Sequence, residues 1–272
     1  MQGILEKTYN GFMGAIDGFA NCTTVLSVSV KPVEETKPTV ASIPDFAYPC
    51  DNYINSVMDS RLVRQTLRTV ASKYYDSQIE EVIQTASEVT RQNYPNLYAN
   101  YQHCCQTLSV TIPPKVFVTS ILPGINALSV EVDDTAIILL SYMSVIALDD
   151  AEQRFLLGHE LGHILQGHMV AHTVQGLLQD LNTQAELLGP IVTDLIDVPL
   201  NRWYRTSEFT ADRAGYLCCG DMAVVRHLFQ RFADDASTDA YGQYRMLSDA
   251  YPSVAIRLEV LTEYSLQKQN LL

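Results

Sequence analysis

Two histidines four residues apart, with a glutamate beside the first, stand in His159-Glu160-Leu161-Gly162-His163. On a helix, positions i and i+4 project from one face, one turn apart. Two imidazoles so placed can grip one zinc ion between them. Glu160, next to the first histidine, can reach a metal-bound water without taking a metal position, which is the geometry of a general base for hydrolysis.

A catalytic zinc site takes three protein ligands and keeps a position open. One scheme places glycine three residues, and histidine six residues, beyond the second histidine; Gln166 and Met169 stand there, and His168 is one position early. The other scheme draws a glutamate from a separate downstream helix, and Ser207-Glu208-Phe209-Thr210-Ala211-Asp212-Arg213-Ala214-Gly215 fits it. Glu208 and Asp212 share a helical face, so Glu208 is the expected ligand. Asp212 is expected to accept the other ring N–H of a ligand histidine and fix its tautomer.

These two segments, Gly158-His159-Glu160-Leu161-Gly162-His163 with Gly167-His168 and Ser207-Glu208-Phe209-Thr210-Ala211-Asp212-Arg213, resemble the gluzincin metallopeptidases of the HtpX and CAAX-prenyl-protease type, including the soluble minigluzincins. A weaker likeness places Asn126-Ala127 at the opening of a strand ahead of Ile137-Ile138-Leu139-Leu140-Ser141. The resemblance runs from about Asn52 to Tyr264. It implies His159, His163 and Glu208 as ligands of one Zn²⁺ per chain, Glu160 as general base and acid, and a peptide-bond substrate. Family members often carry a His-Pro pair followed by an arginine; here Tyr251-Pro252 and Arg257 stand in those places. Tyr251 and Arg257 are therefore the residues expected at the oxyanion. Substrate is expected to lie extended along the strand beginning at Asn126 and Ala127.

The elements that must position these residues are legible in outline. Asp149, with Glu152 three residues on, reads as a capping box opening a helix from Ala151 to His168. Phe155, Leu156, Leu157, Leu161, Ile164 and Leu165 surround the histidines, so this helix is expected to be buried. Gly158, Gly162 and Gly167 weaken it and predict the close approach of another backbone or a substrate. Upstream, Ile54, Val57, Met58, Leu62 and Leu67, then Ile79, Val82, Ile83 and Val89, recur at helical spacing within a three-helix block from Asn52 to Cys105. Lys115–Thr119, Asn126–Val132 and Thr135–Ser141 read as strands, the last two joined at Asp133-Asp134. Val170–Leu200 reads as one or two helices broken at Gly189-Pro190. Helices are expected from Met222 to Ala233 and from Pro252 to about Gln267. The fold class is α+β, mostly helical, zincin-like, with a small sheet above the His-Glu helix. Residues 1–48 read as an N-terminal extension ending in a linker with Pro32, Pro38 and Pro44, and residues 49–272 as the zinc domain.

Composition narrows the partners. A formal charge of −13 argues against nucleic acid and anionic membranes. No stretch reads as a transmembrane helix, so an integral membrane segment is not expected, while peripheral contact through Val170–Leu200 stays open. Six cysteines, two adjacent pairs among them, lack Cys-x-x-Cys spacing, and with no apparent signal peptide they are expected to be free thiols of a cytoplasmic protein. His103, His172 and His227 have no partner at metal spacing. The reading is a zinc-dependent endopeptidase acting on peptides or unfolded proteins. Its rivals are a zinc hydrolase of other amides, and a catalytically idle, chaperone-like zinc protein; an intact Glu160 counts against the latter.

Overall fold

Runs of β-branched and aliphatic residues flanked by Pro113-Pro114 and Pro123-Gly124 build a small sheet. The structure, a computed structural model, describes residues 45–49, 51, 76–132, 135–169, 190–236 and 252–269. Its elements are α1 (Asp76–Thr85), β1 (Ser87–Glu88), α2 (Pro95–Thr107), β2 (Lys115–Thr119), β3 (Ala127–Val132), β4 (Thr135–Ser141), α3 (Tyr142–Ile146), α4 (Asp150–Leu165), α5 (Pro190–Cys219), α6 (Met222–Ala236) and α7 (Val254–Gln269). The class is α+β and mostly helical. The sheet has the order β1-β2-β4-β3, with β2 and β4 parallel and the outer pairs antiparallel.

Side-chain alternation gives the sheet two apolar faces. Val116, Val118, Ile138 and Leu140 join the main core with Phe155, Leu157 and Leu161 of α4. Phe117, Val130, Ile137 and Leu139 pack on the other face with Ile79 of α1. Burial on both faces explains why Ile137–Leu140 is a continuous apolar run. β3 is an edge strand, bonded to β4 alone within the sheet and packed against α4.

The three expected strands are present within one residue. The two-residue β1 was not foreseen, being too short to carry a period. α5 differs more. The expected break at Gly189-Pro190 becomes a helix start at Pro190, where proline's missing N–H costs nothing. From there one helix of 30 residues runs past Pro199 into the Glu208 segment, so Glu208 lies on a helix separate from that of the histidines, as expected, but one continuous with the stretch from Pro190 to Leu200. Residues 1–44, the helix residues Ile54, Val57, Met58, Leu62 and Leu67, the Asp133-Asp134 turn, residues 170–189 and Tyr251 lie outside the described residues. The end of the expected linker does not lie outside the folded body: Phe46 is buried in the main core, and Asp51 is fully buried. Among the described residues, no helix is long and apolar enough to cross a membrane.

Candidate active site

The capping box forms as read. Asp149 Oδ1 accepts from the N–H groups of Ala151 and Glu152 (both 2.9 Å), and Glu152 Oε2 accepts from the Asp149 N–H (3.0 Å). It fixes the start of α4, and Phe155 to His163 are then buried without interruption. Such burial follows from contact with α5. A Cβ on Gly158 would stand 2.7 Å from Cys218 Sγ and 3.0 Å from the Ala214 carbonyl oxygen. One on Gly162 would stand 2.8 Å from Ala214 Cβ and 3.0 Å from Ala211 Cα, and one on Gly215 would stand 2.7 Å from the Phe155 carbonyl oxygen. Glycine and alanine on both sides let the two helices touch backbone to backbone, which brings Glu208 up to the histidines. Gly158 and Gly162 thus serve as expected. Gly167 does not: nothing lies within 4 Å of it, and its φ of +70° marks a helix-ending turn instead.

One ligand atom from each of His159, His163 and Glu208 lies within 4.8 Å of the other two. His159 Nε2 stands 3.1 Å from His163 Nε2, and the Glu208 oxygens stand 3.7 and 3.6 Å from those two nitrogens. The other ring nitrogen of each histidine is engaged elsewhere: His159 Nδ1 meets Asp212 Oδ1 at 3.1 Å, and His163 Nδ1 meets His168 Nδ1 at 3.0 Å. If the Nδ1 atoms carry the ring protons, two nitrogen lone pairs face each other across 3.1 Å, an arrangement that calls for a cation between them. Glu208 Oε2 is buried and has no hydrogen-bond partner, a costly state that a metal relieves. Glu160, Glu208 and Asp212 are all buried here, with Arg257 as the buried guanidinium beside them, so a divalent cation also offsets the excess of buried carboxylates. The donor set of two imidazoles and a carboxylate suits zinc.

Asp212 is 1% exposed and links the site to α7. Arg257 holds it by two bonds, Nε to Oδ2 at 2.8 Å and Nη2 to Oδ1 at 2.5 Å, and Arg257 Nη1 lies 3.4 Å from Glu208 Oε2. Burial pushes the Asp212 carboxyl up, but the Arg257 guanidinium outweighs it and holds the group below the usual carboxylate range. Burial likewise pulls His159 down, yet its hydrogen bond to Asp212 and the charge of Glu208 leave it raised overall. Arg257 therefore reaches the site by a different route from the one expected. Its guanidinium is turned to the two carboxylates and stacks 4.7 Å over the Phe229 ring.

A second set of supports was missed by sequence reasoning. Gly167 and His168 close α4 in a Schellman turn, with Gly167 N–H to Ile164 O (3.1 Å) and His168 N–H to His163 O (2.9 Å). The turn folds His168, which is fully buried, back under His163. His168 Nε2 meets both Asp51 oxygens, at 3.2 and 3.1 Å, and Thr210 donates to Asp51 Oδ2 at 2.6 Å. The Asp45–Pro49 segment is held on α5 and α7. The Tyr48 N–H donates to Thr210 Oγ1 (3.0 Å), Arg213 donates to the Ala47 carbonyl (3.1 Å), and the Arg213 guanidinium lies between the rings of Tyr48 and Tyr264, at 4.9 and 4.7 Å.

Asn126 and Ala127 stand at the head of the edge strand. The Asn126 N–H donates to Ser144 Oγ (2.9 Å), and its carbonyl accepts from the Ser141 N–H (2.9 Å) and Ser144 Oγ (2.8 Å). Asn126 opposite Ser141 is thus a bonded position, and antiparallel alternation turns the main-chain groups of Ala127 and Ser129 away from β4. The outward-facing edge begins at Ala127. His227 meets Glu152 at 2.9 Å and His103 meets the Cys218 carbonyl at 3.2 Å, and neither histidine belongs to the His159–His163–Glu208 cluster.

The model of peptidase family M48 matches residues 92–265, more than half of the chain and inclusive of His159, His163 and Glu208. The chain belongs to peptidase family M48. This agrees with the resemblance carried by the two motif segments. A plastoglobule-localized, chloroplastic metallopeptidase 48 of Arabidopsis thaliana is 26% identical over 169 residues, which cover 59% of this chain and 48% of that protein. The chain thus spans about half the length of the curated relative. No solved structure matches.

Proposed function

We propose that this M48-family chain is a zinc-dependent endopeptidase whose ion is held by His159, His163 and Glu208. The observation that carries the reading is the buried Glu208 Oε2, which accepts no hydrogen bond, beside two imidazoles whose Nδ1 atoms are both occupied. Zinc in that place would supply a Lewis acid that polarises a scissile carbonyl and makes water more acidic.

The protein's own groups do the rest. Asp212 and His168 hold the ring planes of the two histidines. Arg257 holds Asp212 and stands against Glu208, so the ligand carboxylate and the supporting carboxylate are positioned together. Glu160, on the same helix and 5% exposed, takes the proton of the attacking water and returns it to the leaving amine. General acid–base help of this kind contributes roughly 10²–10⁴-fold. Tyr251 is the proposed oxyanion donor, since Arg257 is occupied by carboxylates. An extended peptide pairs with Ala127 and Ser129 on the edge of β3 turned away from β4, and β3 packs on the helix carrying Glu160. A sheet edge beside that helix favours a peptide chain over a small closed amide, and main-chain pairing gives broad sequence selectivity. Incubation with unfolded casein tests the reading: cleavage that a chelator abolishes and stoichiometric zinc restores is expected. Cleavage indifferent to the chelator refutes it.

A further inference from the structure

We propose that Asp51, contributed by the segment that precedes the M48-matching region, is a positioning residue for the metal centre, acting through His168 on His163. The proposal rests on the His159, His163 and Glu208 reading of the site and extends it to a residue 117 positions from His168.

Hydrogen-bond direction carries the inference. The Thr210 hydroxyl accepts the Tyr48 N–H, so its own proton points to Asp51 Oδ2 at 2.6 Å. A carboxylate only accepts. His168 Nε2, at 3.1 and 3.2 Å from the two Asp51 oxygens, must therefore carry its ring's proton. In a neutral imidazole this leaves Nδ1 as an acceptor. His163 Nδ1, 3.0 Å away, is then the donor, and its lone pair is left on Nε2, the atom facing Glu208 and His159. The chain of bonds from the Tyr48 main chain to His163 has one consistent polarity, and it selects the tautomer a metal needs. On the other histidine Asp212 does this in one step. On His163 it takes two, because His168 fills the space between the ring and the carboxylate. Its side-chain members are all buried: Asp51, His168 and Thr210 are 0% exposed and His163 3%. Uncompensated burial of such groups is costly, so the network forms complete or fails as a unit. Metal affinity is thereby coupled to the docking of residues 45–49 and Asp51 on α5 and α7, ahead of the residues that the family model matches.

The test uses the full chain and zinc alone, with affinity read by competition with a chromophoric chelator. Asp51→Ala and His168→Ala should each weaken zinc binding by about 10–100-fold, the usual loss when a ligand's support is removed. Because the two act in series, the double variant should bind no more weakly than the worse single one. His168→Gln should restore affinity to within a few-fold of wild type, since its amide oxygen can accept from His163 and its NH₂ can donate to Asp51. Loss of packing alone would not be rescued in this way. Should Asp51→Ala fail to fold, the contrast between His168→Ala and His168→Gln decides. Wild-type affinity in Asp51→Ala or His168→Ala, or additive losses in the double variant, overturns the proposal. A wild-type chain that binds no zinc overturns the metal reading itself.

Discussion

Replacing Gly162 by alanine separates the demands of the metal site from those of the fold. The new Cβ would lie 2.8 Å from Ala214 Cβ, about 0.6 Å inside the 3.4 Å at which ordinary contact begins, and 3.0 Å from Ala211 Cα. Neither neighbour can swing aside, so α4 and α5 must part by about half an ångström. Overpacking of this kind costs about 1–3 kcal/mol. Alanine's better helix propensity offsets about 0.8–1 kcal/mol of that. The metal-free protein should therefore lose only about 0–2 kcal/mol, a fall of a few degrees in thermal midpoint at this size. The metal has less tolerance, since ligand distances are held to within about 0.2 Å. Glu208 rides on α5 and the histidines on α4, so the same half ångström strains the site directly. Zinc affinity should fall at least about tenfold, more than the change in metal-free stability would suggest. Gly220→Ala is the control. Its φ of +72° makes alanine strained, but nothing lies within 4 Å. That variant should lose stability with zinc affinity unchanged. Calorimetry of the metal-free chains and chelator competition give the two numbers. Wild-type zinc affinity in a well-folded Gly162→Ala chain would refute the close-packing account.

Three further outcomes follow from particular contacts. Removal of residues 1–44 should leave a folded, metal-binding chain, whereas removal through Asp51 should lower zinc affinity, because Phe46, Tyr48 and Asp51 belong to the packed body; metal analysis of the two truncations distinguishes them. Ala127→Pro removes a main-chain donor turned away from β4, so folding and zinc content should persist while KM rises or cleavage is lost; unimpaired turnover would remove the edge strand from the substrate path. Cys104, Cys105 and Cys218 are buried free thiols, and burial pushes the Cys219 thiol up to about 11. Since the thiolate is the reactive form, alkylation of all four at pH 8 should be slow in the native protein and fast after unfolding, as peptide mass mapping can show.

What the sequence disclosed was set by range. The His-Glu motif, the Asp149–Glu152 capping box and the Glu208–Asp212 spacing are all written within one or two helical turns, and all three appear where read. Gly158 and Gly162 were legible as points of close approach because glycine in a buried helix needs a reason. Gly167 looked the same in sequence but serves a left-handed turn, which spacing cannot distinguish. The His168–Asp51 contact was beyond reach, because the two residues are 117 positions apart and Asp51 follows a proline-rich stretch that reads as linker. Arg257 was picked out as a site residue, but nothing local indicates that its guanidinium bonds Asp212 and stands against Glu208. The single helix from Pro190 to Cys219 was not foreseen because the stretch up to Leu200 and the Glu208 segment read as separate helices, whereas the structure carries the turn through Pro199.

The measurement that bears most directly on the central claim is metal content and turnover of Glu160→Gln, determined on one preparation alongside wild type. Glu160 stands beside the ligands and not among them, so the variant should keep about one zinc per chain and its fold, and lose peptide cleavage by at least the roughly 10²–10⁴-fold that acid–base catalysis supplies. Turnover at the wild-type rate in a zinc-loaded Gln variant would contradict the mechanism, and loss of zinc on this substitution would contradict the ligand set.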